Sequence, residues 1–147
     1  MDLAKAFDTI DVKMAEAATQ WVGTPVQASL SMSATWRAGR RCSVEGELSK
    51  KIKPSRGLPP GDPLSPAALG MVIAPWHKII RGLPGGAVVD FAYMDDRSLK
   101  VTGSGEGGQQ KLQYSEVLER ELEATAEFDA AADLSENVKK RQRWMGS

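Results

Sequence analysis

The sequence predicts an α+β fold, and three observations lead to that prediction. Residues 69–80 carry apolar side chains at helical spacing, and residues 109–132 do the same after a glycine-rich link at 103–108. Between the two helices, residues 88–93 form a β-branched and aromatic run, and residues 99–101 alternate again. We therefore expect an antiparallel sheet with helices packed on one face.

The first half of the chain is less regular. Residues 9–22 read as a helix that ends at a Gly-Thr-Pro stop, and its apolar face is Val12, Ala15, Ala18 and Val22. Residues 28–55 are ambiguous, and one reading is a helix end followed by two short strands around Val44 and Ile52. Residues 57–63 are dense in glycine and proline and must form a loop.

The two long helices have their own start signals and faces. Ser65 is expected to cap the first of them, with Pro66 at its first helical position and Pro75 as a kink. Its apolar face is expected to be Leu69, Val72, Ile73, Trp76 and Ile80, and it should end within 82–86. One side of the second helix carries Tyr114, Val117, Leu118, Leu122 and Phe128.

Two acids, Asp95 and Asp96, fall at the turn between the strands. Aspartate is common in turns because its side chain bonds its own backbone, so the doublet alone indicates a turn. The doublet becomes informative together with two other stretches of the sequence. One is the run D-L-A-K-A-F-D, which begins with the acid Asp2, and the other is residues 56–66, which read R-G-L-P-P-G-D-P-L-S-P.

Composition sets broad limits. A chain of 147 residues is expected to form one domain, and no apolar run reaches membrane-spanning length, so we expect a soluble, unsecreted protein. The single Cys42 excludes an internal disulfide. Net charge is zero, yet the charges are segregated into an acidic stretch at 116–133 and two basic ones, at 37–56 and 139–143. Such runs are either solvated faces or contacts for phosphates.

The acidic turn and the two stretches resemble motifs C, A and B of reverse transcriptases, most closely those of non-LTR retrotransposons and group II introns. Residues 2–8 match motif A (D-x-x-K-A-F-D), residues 56–66 motif B (G-x-P-Q-G-x-P-L-S-P) and residues 91–96 motif C ([FY]-x-D-D). Residues 134–140 are similar to motif D (G-L-x-x-N-x-x-K). The resemblance implies a single partial polymerase palm over residues 1–147, with a split β-α-β, ferredoxin-like sheet.

The resemblance also implies a metal site. Catalytic carboxylates would come from Asp2, Asp95 and Asp96, and the backbone carbonyl of Leu3 would add a ligand. These would hold two Mg²⁺ ions, with Mn²⁺ as an alternative, because hard cations prefer oxygen ligands.

The resemblance also implies roles for single residues outside the metal site. Phe7 matches the steric gate that excludes a 2′-hydroxyl, and the resemblance assigns it to the nucleotide site with Pro60, Gly61 and Lys140. The resemblance assigns nucleic-acid contact to Arg56, Tyr93 and Met94. His77, the only histidine, receives no role.

Two departures from the family pattern bear on activity. Pro60 stands where the family usually has glutamine, and proline offers neither a side-chain amide nor a backbone N–H. The fingers segments that precede motif A and the thumb that follows motif D are not in this sequence, and activity is expected to need them.

The function implied is template-directed DNA synthesis on an RNA or DNA template with a primer, from deoxynucleoside triphosphates and with no membrane partner. A eukaryotic element would act in the nucleus. The leading alternative is a catalytically inactive remnant with at most nucleic-acid binding. A third reading, an RNA-templated RNA polymerase, fits the K-A-F and P-L-S-P matches less well.

Overall fold

Helices and two antiparallel hairpins make up the described part of the chain, which confirms the α+β fold class. The computed structural model describes residue 3 and residues 5–59, 61–83, 87–102 and 108–137, with backbone only at 87, 102 and 108–113. No helix within these ranges combines the length and apolarity needed to cross a membrane.

The elements follow in chain order. The helices are α1 (Ala6–Thr9), α2 (Val12–Trp21), α3 (Val26–Arg37), α4 (Ser65–Gly82) and α5 (Gly108–Ala131). The strands are β1 (Ser43–Val44), β2 (Glu47–Leu48), β3 (Ala87–Tyr93) and β4 (Asp96–Thr102). Two compact units share the chain: unit I is Lys5–Val72, and unit II is Met1–Ala4 with Ile73–Ser147.

Helix α2 of unit I begins at Val12, three residues after the predicted start, because the chain first forms the separate short helix α1. The carboxylate of Asp11 accepts a hydrogen bond from the Lys13 N–H at 2.8 Å, which caps the helix. Val12, Ala15 and Ala18 are buried and α2 packs against α3, but Val22 is 47% exposed, so its predicted place on the buried face is wrong. The helix has ended by then, since Val22 is its C-cap.

Residues 28–55, which the sequence left open, begin inside a full helix. Helix α3 buries Met32 and Trp36, and the strand predicted around Val44 is confirmed as β1. The strand predicted around Ile52 is wrong: Ile52 forms one isolated bridge with Arg40. That bridge is offset by one residue from the β1–β2 register, so an extra residue interrupts the ladder.

Helix α4 has the predicted apolar face but a different start. Its five predicted face residues are all buried. Ser65 is the first helical residue, and its hydroxyl donates to the Pro59 carbonyl (3.0 Å) and the Asp62 carboxylate (3.1 Å). The predicted capping role of the Ser65 hydroxyl is therefore wrong, because the hydroxyl anchors the preceding loop. Pro75 lies within the continuous helix.

The β3–β4 hairpin of unit II has two sharply different faces. The residues Val88, Asp90, Ala92, Arg97, Leu99 and Val101 alternate along the strands and are buried or half-buried. The opposite face is exposed throughout and carries Val89, Phe91, Tyr93, Asp96, Ser98 and Lys100. Helix α5 packs against β4, and hydrogen bonds join the inward face to both α4 and α5.

Helix α5 forms where the sequence predicts, with a different buried face. Of the five apolar residues predicted to share one side, only Val117 is buried, and the other four are half-buried. The buried stripe continues from Val117 through three polar residues at four-residue spacing, Glu121, Thr125 and Asp129. This part of the core is therefore held partly by polar contacts.

Candidate active site

The acidic doublet lies at a two-residue hairpin turn, as the sequence predicts. Pairing of β3 with β4 runs without interruption to Tyr93 opposite Asp96, which leaves Met94 and Asp95 as the loop. Asp95 is half-buried, and Asp96, the first residue of β4, is exposed. Both acids therefore lie at the closed end of the β3–β4 ladder.

Met94 adopts an unusual backbone conformation at this turn. Its φ is +54°, in the left-handed region that non-glycine residues seldom occupy. Such a conformation costs of order 1–3 kcal/mol and tends to occur at functional sites. Its side chain is 42% exposed and that of Tyr93 is 64% exposed, so both are accessible for the nucleic-acid contact expected of them.

The beginning of the chain reaches the hairpin tip through Leu3. The Leu3 N–H donates to the backbone carbonyl of Asp95 at 2.9 Å, and Leu3 is buried. Leu3 also forms an antiparallel bridge with Glu136, so segments of motifs A, C and D come together within unit II. Asp2, the third expected carboxylate, lies outside the described residues.

A second pairing joins motifs A and B within unit I. The Leu58 N–H donates to the Phe7 carbonyl at 2.7 Å, and the Gly57 N–H donates to the Ile10 carbonyl at 2.9 Å. Gly57 has a φ of +85°, and a Cβ there would lie 2.9 Å from the Asp8 carbonyl oxygen. Only glycine fits both requirements, which explains the glycine of motif B at this position. The Phe7 side chain is half-buried.

The remaining expected site residues are distributed as follows. Gly61 is exposed with a φ of +77°, and Arg56 is exposed while its Nε donates to the Thr9 carbonyl at 2.7 Å. Pro60 and Lys140 lie outside the described residues.

The donor chemistry at the hairpin tip suits a divalent cation of the Mg²⁺ type. Asp95 and Asp96 offer carboxylate oxygens, the hard ligands such cations prefer. Within the described ranges no three His, Cys, Asp or Glu side chains converge on one point.

Behind the doublet, a polar network that the sequence analysis missed crosses the inward face of the hairpin. Asp90 on β3 accepts hydrogen bonds from Arg81 Nε, at 2.8 Å, and from the His77 ring on α4. Burial raises the pKa of Asp90, but the Arg81 and His77 bonds outweigh burial, and the pKa lies below its usual range.

Arg97 is the centre of the second half of this network. It follows Asp96 directly, its side chain is fully buried, and its guanidinium bonds both oxygens of Asp129 on α5, at 2.8 and 2.6 Å. The guanidinium carbon lies 5.2 Å from the Trp76 ring centroid, within range of a cation–π contact. Trp76 Nε1 donates to the Thr125 hydroxyl at 3.0 Å. The network therefore ties the strand that carries the doublet to both α4 and α5.

The sequence signal that could have identified Asp90 and Arg97 is the alternation of side chains between the two faces of a β-strand. It places Asp90 and Arg97 on one face with Val88, Leu99 and Val101. The partners on α4 and α5 are far away in sequence, so that signal identifies the shared face and does not identify the contacts.

Glu121, on the buried stripe of α5, has a carboxylate oxygen that lacks a hydrogen-bond partner among the described residues. This atom, Oε2, is buried. Burial raises the pKa of Glu121 and the charge of Asp90 adds to the rise, while Arg120 opposes it. Folding therefore favours the protonated carboxyl.

Glu121→Gln is expected to stabilise the fold at pH 7 by on the order of 1 kcal/mol, since it removes a poorly solvated charge. The raised pKa means that the contribution of Glu121 is fully present below the unfolded value of 4.5 and is lost as pH rises through the folded value. The gain in melting temperature should therefore shrink towards pH 4. The exposed Glu123→Gln on the same helix is the control, and an equal gain for both variants would contradict the assignment to burial.

Comparison with known proteins agrees with these motifs. The family model described as reverse transcriptase (RNA-dependent DNA polymerase) matches residues 1–146. A search of curated proteins found no match.

Proposed function

This chain belongs to the reverse transcriptase family, and we propose that it is the palm of an RNA-directed DNA polymerase of the non-LTR retrotransposon or group II intron type. Membership supports nucleotide polymerisation on a nucleic-acid template in general. The observation that supports an assembled palm site is the 2.9 Å hydrogen bond from the Leu3 N–H to the Asp95 carbonyl. It joins the segment of motif A to the acidic turn of motif C.

The proposed metal ligands are the carboxylates of Asp2, Asp95 and Asp96 and the carbonyl of Leu3. When bound, two Mg²⁺ ions, or Mn²⁺ in their place, would activate the primer 3′-hydroxyl and stabilise the leaving pyrophosphate. The peptide bond ties Asp2 to the Leu3 nitrogen, which is the atom hydrogen-bonded to Asp95. This connection supports a shared site for the three acids.

Positioning is the main contribution of the protein in phosphoryl transfer. The uninterrupted β3–β4 ladder leads directly to the acidic turn, and the buried Arg97–Asp129 pair attaches β4 to α5. Both are proposed to position the turn. Phe7, Pro60, Gly61 and Lys140 are proposed to meet the incoming nucleotide. Arg56, Tyr93 and Met94 are proposed to contact template or primer. Fingers and thumb segments are proposed to complete the site.

Pro60 favours one alternative, a catalytically inactive remnant that binds nucleic acid. A proline in place of the family's glutamine removes a donor from the loop proposed to meet the nucleotide. The two readings separate on whether any nucleotide is incorporated.

Primer extension tests the proposal. With fingers and thumb segments supplied, the chain is expected to extend a DNA primer on an RNA template with deoxynucleotides and to reject ribonucleotides. Phe7→Ala should admit ribonucleotides, since it removes the ring that would exclude the 2′-hydroxyl. The measurement is the ratio of kcat/KM for the two nucleotide types. Absence of extension by the unaltered chain contradicts the polymerase proposal, and continued strict selection by Phe7→Ala removes the gate from Phe7.

A further inference from the structure

A strongly basic antiparallel ribbon occupies residues 40–53 of unit I. It contains five cations, Arg40, Arg41, Lys50, Lys51 and Lys53, against two acids, Glu45 and Glu47, next to its β-turn. Arg40 is half-buried and the other four cations are exposed. Both residues of the turn, Glu45 and Gly46, have positive φ, which indicates a type I′ hairpin turn. The backbone of the ribbon is thus a regular hairpin.

Three of the five cations lie between two hydrogen-bonded points of the ribbon. Arg40 and Ile52 exchange two backbone hydrogen bonds of 2.8 Å, and the Ser49 N–H donates to the Cys42 carbonyl, also at 2.8 Å. Arg41 lies between these points on one side, and Lys50 and Lys51 lie between them on the other. Paired strands are about 5 Å apart, so these like charges repel one another. Among the described residues no acid forms an ion pair with any of the five cations.

Two further details describe the surroundings of these cations. The stem of Lys51 passes over Gly39, where the Cβ of any other residue would overlap it. Nη2 of Arg40 is buried and has no acceptor among the residues that the structure describes. Repelling cations and a guanidinium nitrogen without an acceptor would both be stabilised by bound anionic oxygens.

We propose that this ribbon binds the phosphate backbone of nucleic acid without reading its sequence. Residues 50–53 extend over roughly 10 Å of strand, which matches several phosphates of a nucleic-acid strand. Residues 39–53 contain no aromatic side chain, so the ribbon has no platform on which bases could stack. Recognition would therefore use charge alone. The choice of nucleic acid over other polyanions rests on the proposed function.

Fluorescence anisotropy with labelled 20-nucleotide RNA, DNA and an RNA–DNA hybrid tests this inference over a range of salt concentrations. The test variant is Arg41→Gln/Lys50→Gln/Lys51→Gln. The control, Lys13→Gln/Lys78→Gln/Arg120→Gln, loses the same charge from exposed positions outside the ribbon. A second variant, Arg41→Lys/Lys50→Arg/Lys51→Arg, keeps the charge. Thermal melts verify that each variant folds.

The neutral ribbon variant is expected to bind on the order of a hundredfold more weakly at 0.1 M salt, and its salt slope should fall by about 2 to 3. The control and the charge-retaining variant should keep most of the affinity and the slope. A loss confined to RNA or to DNA supports the inference and identifies the strand. Equal losses in the test and control variants overturn it, as does equally tight, ribbon-dependent binding of labelled polyglutamate.

The assay contains EDTA and no nucleotide. A chain that binds through the ribbon and fails to extend a primer would contradict the proposed function alone. A chain that extends primers with unaltered binding by the ribbon variant would contradict this inference alone.

Discussion

Asp95→Asn is expected to lower the rate of primer extension at least about a thousandfold, equivalent to about 4 kcal/mol of transition-state stabilisation. The carboxylate is a proposed ligand of the catalytic ions, and the uncharged amide oxygen of asparagine is a weaker metal ligand. The substitution leaves the backbone carbonyl that accepts the Leu3 N–H, so the turn should keep its shape. Extension is measured with fingers and thumb supplied, at increasing Mg²⁺ and Mn²⁺.

Asp133→Asn is the matched control for this variant. Asp133 is exposed and has a φ of +52°, a conformation that asparagine also tolerates. The chemical change is the same, and we expect extension to stay near that of the unaltered chain. If Asp95→Asn extended primers as fast as Asp133→Asn, the hairpin turn would not be the metal site.

Asp129→Asn is expected to destabilise the fold by about 3–5 kcal/mol, the usual effect of removing one partner from a buried ion pair. The Arg97 side chain is fully buried, and both oxygens of Asp129 accept its hydrogen bonds. Without the carboxylate, the guanidinium charge remains buried between α5 and Trp76. The measurement is the midpoint and slope of urea unfolding, followed by far-UV circular dichroism.

Two further variants test whether burial of the ion pair causes the loss of stability expected of Asp129→Asn. Glu16→Gln breaks an ion pair with Arg37 whose side chains are 22% and 49% exposed, so its effect should be much smaller. Arg97→Met/Asp129→Leu removes both charges together and should recover most of the lost stability, because no unpaired charge stays buried. Equal effects for Asp129→Asn and Glu16→Gln would contradict the account.

Local patterns were sufficient for much of the fold. The hairpin is predictable because two alternating runs flank a short polar turn, and its register follows from a two-residue loop. The face of α4 is predictable because apolar side chains recur at helical spacing and are all buried. The motif spacing also predicted the reverse transcriptase family, which the match over residues 1–146 confirms.

Patterns failed where burial depends on partners elsewhere in the chain. On β3 the more apolar alternate set, Val89, Phe91 and Tyr93, is the exposed one, and Asp90 faces inward. The polar stripe of α5 is buried for the same reason. An arginine or aspartate enters a core only when a matching partner is present.

The sequence by itself determined the α+β class, the hairpin and its turn, the face of α4 and the family of the chain, since each follows from spacing within a few residues or from a contiguous motif. Only the tertiary structure decided which face of the hairpin is covered and that Leu3 meets Asp95. The Arg97–Asp129 pair spans 32 positions and the Trp76–Thr125 bond spans 49. Contacts across such distances depend on how the elements pack, which no local period encodes.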